Sequence, residues 1–127
     1  MKRVLIVEDD ENFQKMYATQ LEKFSAEVIP VMTAQDALAS IRSKKPDVIV
    51  LDIMLPGKGN GSTGKMNGFD FLEQIKKNPE TASIPVVMMT NLDTEEKVAR
   101  DIGVNDYLVK ANTTMQSFLD VMKKYLG

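Results

Sequence analysis

Cysteine and histidine are both absent from the chain. Their absence removes disulfides, thiolate and imidazole metal ligands, and every Ser-His or Cys-His nucleophile pair. Any chemistry has to run on Asp, Glu, Lys, Ser, Thr or the backbone, and hard oxygen ligands of that kind favour magnesium or calcium. A dominant charge is lacking too: 16 basic against 18 acidic residues leave a net charge of −2, no electrostatic footprint for direct nucleic-acid binding. No apolar run approaches the ~20 residues of a membrane span. The opening "MKRVLIVEDD" has an apolar run, Val4 to Val7, too short for a signal peptide, and acids follow at once. A soluble, cytoplasmic protein with no membrane association is expected.

What is present suits one globular domain over residues 1–127, with 43% hydrophobic and 27% charged residues and enough apolar surface for a core without staples. Short apolar runs alternate with helical spacings. Val4 to Val7 reads as a strand buried on both faces. Phe13, Met16, Tyr17, Leu21 and Phe24 then mark the apolar side of a helix. Glu27 to Val31 is an expected strand that Pro30 assigns to a sheet edge. Thr33 caps a helix with Ala34, Ala37, Leu38 and Ile41 on its inner face, and Pro46 stops it. Val48 to Leu51 is the strongest strand. A helix follows from about Asn67 to Lys77, then a strand from Val86 to Met89 ending at Thr90. The region Thr94 to Ile102 predicts a short helix closed by Gly103. Tyr107 to Val109 is the fifth strand, ending at Lys110, and Met115, Phe118, Leu119, Met122, Tyr125 and Leu126 stripe a last helix. Five strands alternating with five helices imply a parallel α/β sheet covered on both faces.

Ligands of such sheets bind beyond the carboxyl ends of the strands. Four strand ends deliver Glu8, Asp9 and Asp10; Asp52; Thr90; and Lys110. Clustered carboxylates repel one another, and a divalent cation relieves this; magnesium is commonly held by one or two carboxylates with phosphate oxygens and water. Lys110 is a point charge suited to phosphate, and Thr90 offers a hydroxyl. Asp52, on the central strand, can attack phosphorus as an oxygen nucleophile and hold the group as an acyl phosphate. Taken singly the residues are bland: Asp9 or Asp10 can cap a helix, Lys110 can be a surface lysine, and Thr90 a turn residue.

"VLIVEDD", "DVIVLDIMLPG", "VVMMTN" and "NDYLVK" resemble the receiver domains of two-component response regulators, over nearly the whole chain. The resemblance implies a flavodoxin-like, doubly wound sheet of order 2-1-3-4-5. It implies that Asp52 takes phosphate from the phosphohistidine of a sensor histidine kinase or histidine phosphotransfer protein, and then switches conformation towards an output partner the sequence does not identify. It assigns Mg²⁺ to Asp9, Asp52 and the Met54 carbonyl, with Glu8 helping. Thr90 and Lys110 match the switch hydroxyl and the lysine, and Tyr107 the aromatic that moves inward with that hydroxyl. Such a protein is a signalling phosphoacceptor and not an enzyme acting on other substrates.

The stretch "LPGKGNGSTGKMNGF" holds five of the seven glycines. Gly59 to Lys65 imitates a nucleotide-binding loop, but Met66 stands where a Ser or Thr is needed for magnesium. We read it as an insertion of about Lys58 to Lys65 between Pro56 and Gly68, which a surface loop absorbs at modest entropic cost; Lys58 and Lys65 are candidates to modulate phosphodonor access. Ala111 replaces the proline usual after the family's lysine, and a trans bond is expected there. The interval from Thr90 to Lys110 is short, which shortens the fourth helix. Met54 and Leu92, two residues beyond Asp52 and Thr90, offer no polar group to orient a hydrolytic water, so a long-lived acyl phosphate is expected. A haloacid-dehalogenase-type phosphatase would need an acid at Met54. A flavin module of flavodoxin type would not place "EDD" in its phosphate loop. A docking-only pseudo-receiver would not need the acidic pocket.

Overall fold

The computed structural model describes residues 1–54 and 67–127. The Gly-rich insertion, with Lys58 and Lys65, lies outside the described residues. Five strands, β1 (Arg3–Val7), β2 (Glu27–Val31), β3 (Val48–Leu51), β4 (Val86–Thr90) and β5 (Asp106–Val109), alternate with α1 (Glu11–Leu21), α2 (Ala34–Ser43), α3 (Gly68–Lys77), α4 (Glu96–Ile102) and α5 (Met115–Leu126). The strands form one parallel sheet of order β2-β1-β3-β4-β5, as expected. β2 is an edge strand, where Pro30 pairs in register with Ile6 without needing an N–H of its own.

The sheet divides its apolar side chains strictly by face, because successive residues of a strand point to opposite sides. Val4, Ile6, Val48, Val50, Val87 and Met89 pack with Tyr17, Leu21, Phe118, Met122 and Leu126 of α1 and α5. Leu5, Val7, Ile49, Leu51, Val86 and Met88 pack on the other side with α2, α3 and Ala99 of α4. Two-sided burial is why the strands read as unbroken runs of Val, Ile, Leu and Met.

α1, α3 and α5 each start on a capping side chain. The Asp10 carboxylate accepts from the N–H groups of Asn12 and Phe13, and Thr114 accepts from Ser117. Asn67 and Asp70 form a reciprocal capping box at the start of α3. Gly68 then donates to the Ile53 carbonyl at 3.0 Å, so the described residues flanking the insertion are held together.

Some boundaries differ from expectation. β1 begins at Arg3 and β5 at Asp106, one residue early, because ladder pairing extends beyond the apolar run. α4 begins at Glu96, later than Thr94, and no side chain caps it. Gly103 does close it with φ of 125°. Met16, expected on the inner face of α1, is 45% exposed. The buried positions are Gln14, Tyr17 and Leu21, so a polar residue takes the place the apolar one was given.

Candidate functional site

The site forms where β1, β3, β4 and β5 end. The Glu8 N–H donates to Val31 at 3.1 Å and the Asp52 N–H to Val7 at 3.1 Å, so sheet pairing continues just far enough to fix both acids. Gln14 adds a clamp: its amide donates to the carbonyls of Glu8 at 3.2 Å and Val31 at 2.9 Å. These bonds tie the start of α1 to two strand ends and fix the loop that carries Glu8 and Asp9.

Glu8, Asp9 and Asp52 each offer a carboxylate oxygen within 4.8 Å of the others. Glu8 and Asp52 are buried, and Asp9 is exposed at the mouth. The Asp52 Oδ1 atom accepts from the Met54 N–H at 3.1 Å. Lys110 Nζ donates to Glu8 Oε1 at 2.7 Å and to Asp52 Oδ2 at 3.4 Å, with only 5% of its side chain exposed. Lys110 is therefore no surface lysine. Among the described residues one ammonium serves the three-carboxylate cluster, which leaves this part of the pocket short of positive charge. Burial raises Glu8 to about 7, although Lys110 and the Asp10 N–H pull it down. Burial pulls Lys110 down, but its hydrogen bond to Glu8 and the nearby Asp52 and Glu8 charges outweigh this and leave it above its ordinary value. A compact set of hard oxygens with excess negative charge fits a small divalent cation such as Mg²⁺.

Thr90 is fully buried at the end of β4. Its Oγ1 accepts from the Leu92 N–H at 3.2 Å, and the Leu92 carbonyl accepts from the Tyr107 hydroxyl. Leu92 thus joins, through its own N–H and C=O, the two residues singled out as switch partners. Tyr107 is itself buried, at 8% exposure. The Lys110–Ala111 bond is trans, as expected, and Lys110 starts a 3₁₀ turn through Asn112. Met54 is 55% exposed, whereas Leu92 packs partly against the core. The pocket therefore brings together Glu8, Asp9, Asp52 and Lys110, with the Met54 N–H bonded to Asp52, Thr90 buried at the end of neighbouring β4, and Tyr107 joined to Thr90 through Leu92.

Two contributors escaped the sequence reading. Gln14 could have been noticed as a polar residue in step with Tyr17 and Leu21. Phe13 was placed on an apolar stripe, but its ring also faces Lys110, with Nζ 4.3 Å from the centroid. That contact joins residues 97 positions apart and depends on how α1 enters, so no local pattern announces it.

Comparison with known proteins agrees with this geometry. The family model for the response regulator receiver domain matches residues 4–121. Protein PilH of Pseudomonas aeruginosa is 37% identical over 112 residues, covering 87% of the chain and 86% of PilH. The phosphate regulon transcriptional regulatory protein PhoB of the same organism is 32% identical, covering 86% of the chain but 45% of PhoB. The chain thus spans most of PilH and under half of PhoB. Among solved structures, the BeF3-activated N-terminal receiver domain of Klebsiella pneumoniae RstA superposes with a TM-score of 0.83 at 27% identity, covering 98% of each chain. The non-phosphorylated HemR receiver domain of Leptospira biflexa gives 0.82 at 26% identity, covering 100% of this chain and 95% of HemR.

Proposed function

The chain belongs to the response regulator receiver family, and from that premise we propose that Asp52 is the residue that accepts the phosphoryl group. The carrying observation is the Asp52 carboxylate at the end of the central strand, with Lys110 Nζ at 3.4 Å and Glu8 and Asp9 oxygens within 4.8 Å. An Asp52 oxygen attacks the phosphorus of a phosphohistidine on a partner kinase or phosphotransfer protein. A P–O bond forms, the P–N bond breaks, and the departing imidazole nitrogen takes a proton. None of the 127 residues is a histidine, so the phosphohistidine lies outside them.

Lys110 supplies positive charge to the transferred group, and the Thr90 hydroxyl donates to one of its oxygens. Mg²⁺, held by Asp9, Asp52 and the Met54 carbonyl with help from Glu8, would offset charge on the phosphoryl oxygens. Reorienting Thr90 towards phosphate disturbs its bond from the Leu92 N–H, and Leu92 carries the Tyr107 hydroxyl on its other side. The switch then reaches the α4–β5 region through one residue, Leu92. With an exposed Met54 and an apolar Leu92 beside the pocket, no side chain at these positions orients a hydrolytic water, which supports a long-lived acyl phosphate.

We read the protein as one receiver domain over 1–127 with an insertion at about 58–65. It is a cytoplasmic phosphoacceptor that acts on no separate substrate and passes its state to a protein partner. Among the described residues no helix is long and apolar enough to cross a membrane. Incubation with acetyl phosphate and Mg²⁺ followed by intact-mass measurement tests the assignment. One added phosphate is expected on the wild type and none on Asp52→Ala; equal labelling of both refutes it.

A further inference from the structure

Lys110 has neighbours of two kinds. Glu8 and Asp52 hold it by hydrogen bonds, and Phe13 presents its ring face to the ammonium at 4.3 Å. The carboxylate contacts have to change when Asp52 accepts a phosphoryl group, because the ammonium then serves phosphoryl oxygens. The ring contact is not consumed by that change.

Phe13 is also firmly placed. Asp10 Oδ1 accepts from its N–H at 3.2 Å, which fixes the first turn of α1. Its ring stacks on Tyr17, with centroids 5.6 Å apart and planes at 16°, and Tyr17 leans on the fully buried Phe118 at 4.6 Å. A π face attracts a desolvated cation in a way that an aliphatic side chain of similar size does not.

We propose that Phe13 is a positioning residue for phosphoryl transfer, its ring holding the Lys110 ammonium in the pocket while the ammonium exchanges carboxylate for phosphoryl oxygens. This rests on the assignment of Asp52 as acceptor. The test compares wild type, Phe13→Leu and Phe13→Tyr for the rate of acetyl-phosphate labelling at saturating Mg²⁺, each also in a Lys110→Ala background. Phe13→Leu should slow labelling roughly ten- to thirty-fold, the desolvated end of the cation–π range, while Phe13→Tyr, which keeps the ring face, stays close to wild type. In the Lys110→Ala background the leucine should cost nothing further.

The NMR signals of the Lys110 ε-methylene should show a ring-current upfield shift that Phe13→Tyr keeps and Phe13→Leu loses. Labelling of Phe13→Leu at the wild-type rate overturns the proposal, as does an equal proportional loss with and without Lys110, or unshifted ε-methylene signals in the wild type. A wild type that takes up no phosphate overturns the acceptor assignment itself; a labelled wild type beside an unimpaired Phe13→Leu overturns only the role of Phe13.

Discussion

Gly68→Ala should damage both stability and phosphorylation, although the position lies outside the acidic pocket. An ideal Cβ there would sit 2.4 Å from the Asp52 carbonyl oxygen and 2.6 Å from the Ile53 Cα. Both neighbours are backbone, so no flexible side chain can swing away. The helix cannot retreat cheaply either, since Phe71, Leu72 and Ile75 of α3 are at most 1% exposed, and backing off would open their packing. Overpacking ordinarily costs ~1–3 kcal/mol; with backbone on the receiving side, about 3 kcal/mol is expected. For a domain of this size that lowers Tm by roughly 10 °C. The strain falls on the peptide that carries Asp52, so acetyl-phosphate labelling should slow as well. Thermal melting by circular dichroism and a labelling time course read the two effects. Gly103→Ala is the control: its φ of 125° makes any side chain strained, but its Cβ would meet the flexible Lys76 Cγ at 3.3 Å, so some stability is lost with the labelling rate unchanged. A Gly68→Ala protein that melts and labels like the wild type would refute the claim that α3 is seated against the Asp52 backbone.

Met54→Asn places an amide where the exposed methionine stands; one orienting hydrogen bond of ~1 kcal/mol should shorten the acyl-phosphate lifetime roughly fivefold, and a lifetime equal or longer counts against the water-orientation account. Deleting residues 58–65 should leave the fold intact, because Gly68 already bonds to Ile53 across the gap, and should raise stability by about 0.5 kcal/mol from the shorter loop. The same deletion should alter phosphorylation rate or kinase preference; unchanged values would assign the insertion no part in donor access. Burial raises the phenols of Tyr17 and Tyr107, and burial with the Asp106 hydrogen bond raises Tyr125 to about 12. Their contribution to stability is therefore complete below the ordinary phenol value of about 10 and is lost as pH climbs through the raised values. Absorbance titration of the folded protein should find no tyrosine with its midpoint at or below that ordinary value.

The sheet was legible because each strand is buried on both sides, so tertiary burial wrote itself into short apolar runs that only a parallel sheet explains. Pro30 marked the edge for a local reason, its missing N–H. The candidate site was legible for a similar reason: strands end where their apolar runs end, so Asp52, Thr90 and Lys110 stand out as the first polar residues. Ends without a strong chemical marker were less clear. α4 has no side-chain cap to mark its start at Glu96, two residues beyond Thr94. Met16 is exposed and Gln14 buried because burial on α1 follows hydrogen-bond need at Glu8 and Val31 as well as hydrophobicity. The approach of Phe13 to Lys110 is a property of assembled tertiary structure, with no trace in either segment alone.

The most direct test of the account is a crystal structure with beryllofluoride and Mg²⁺. Beryllium should be bonded to an Asp52 oxygen, with Lys110 Nζ and Thr90 Oγ1 on its fluorides and the metal held by Asp9, Asp52 and the Met54 carbonyl. Beryllofluoride bound elsewhere, or an occupied Asp52 that Lys110 and Thr90 leave untouched, would contradict it.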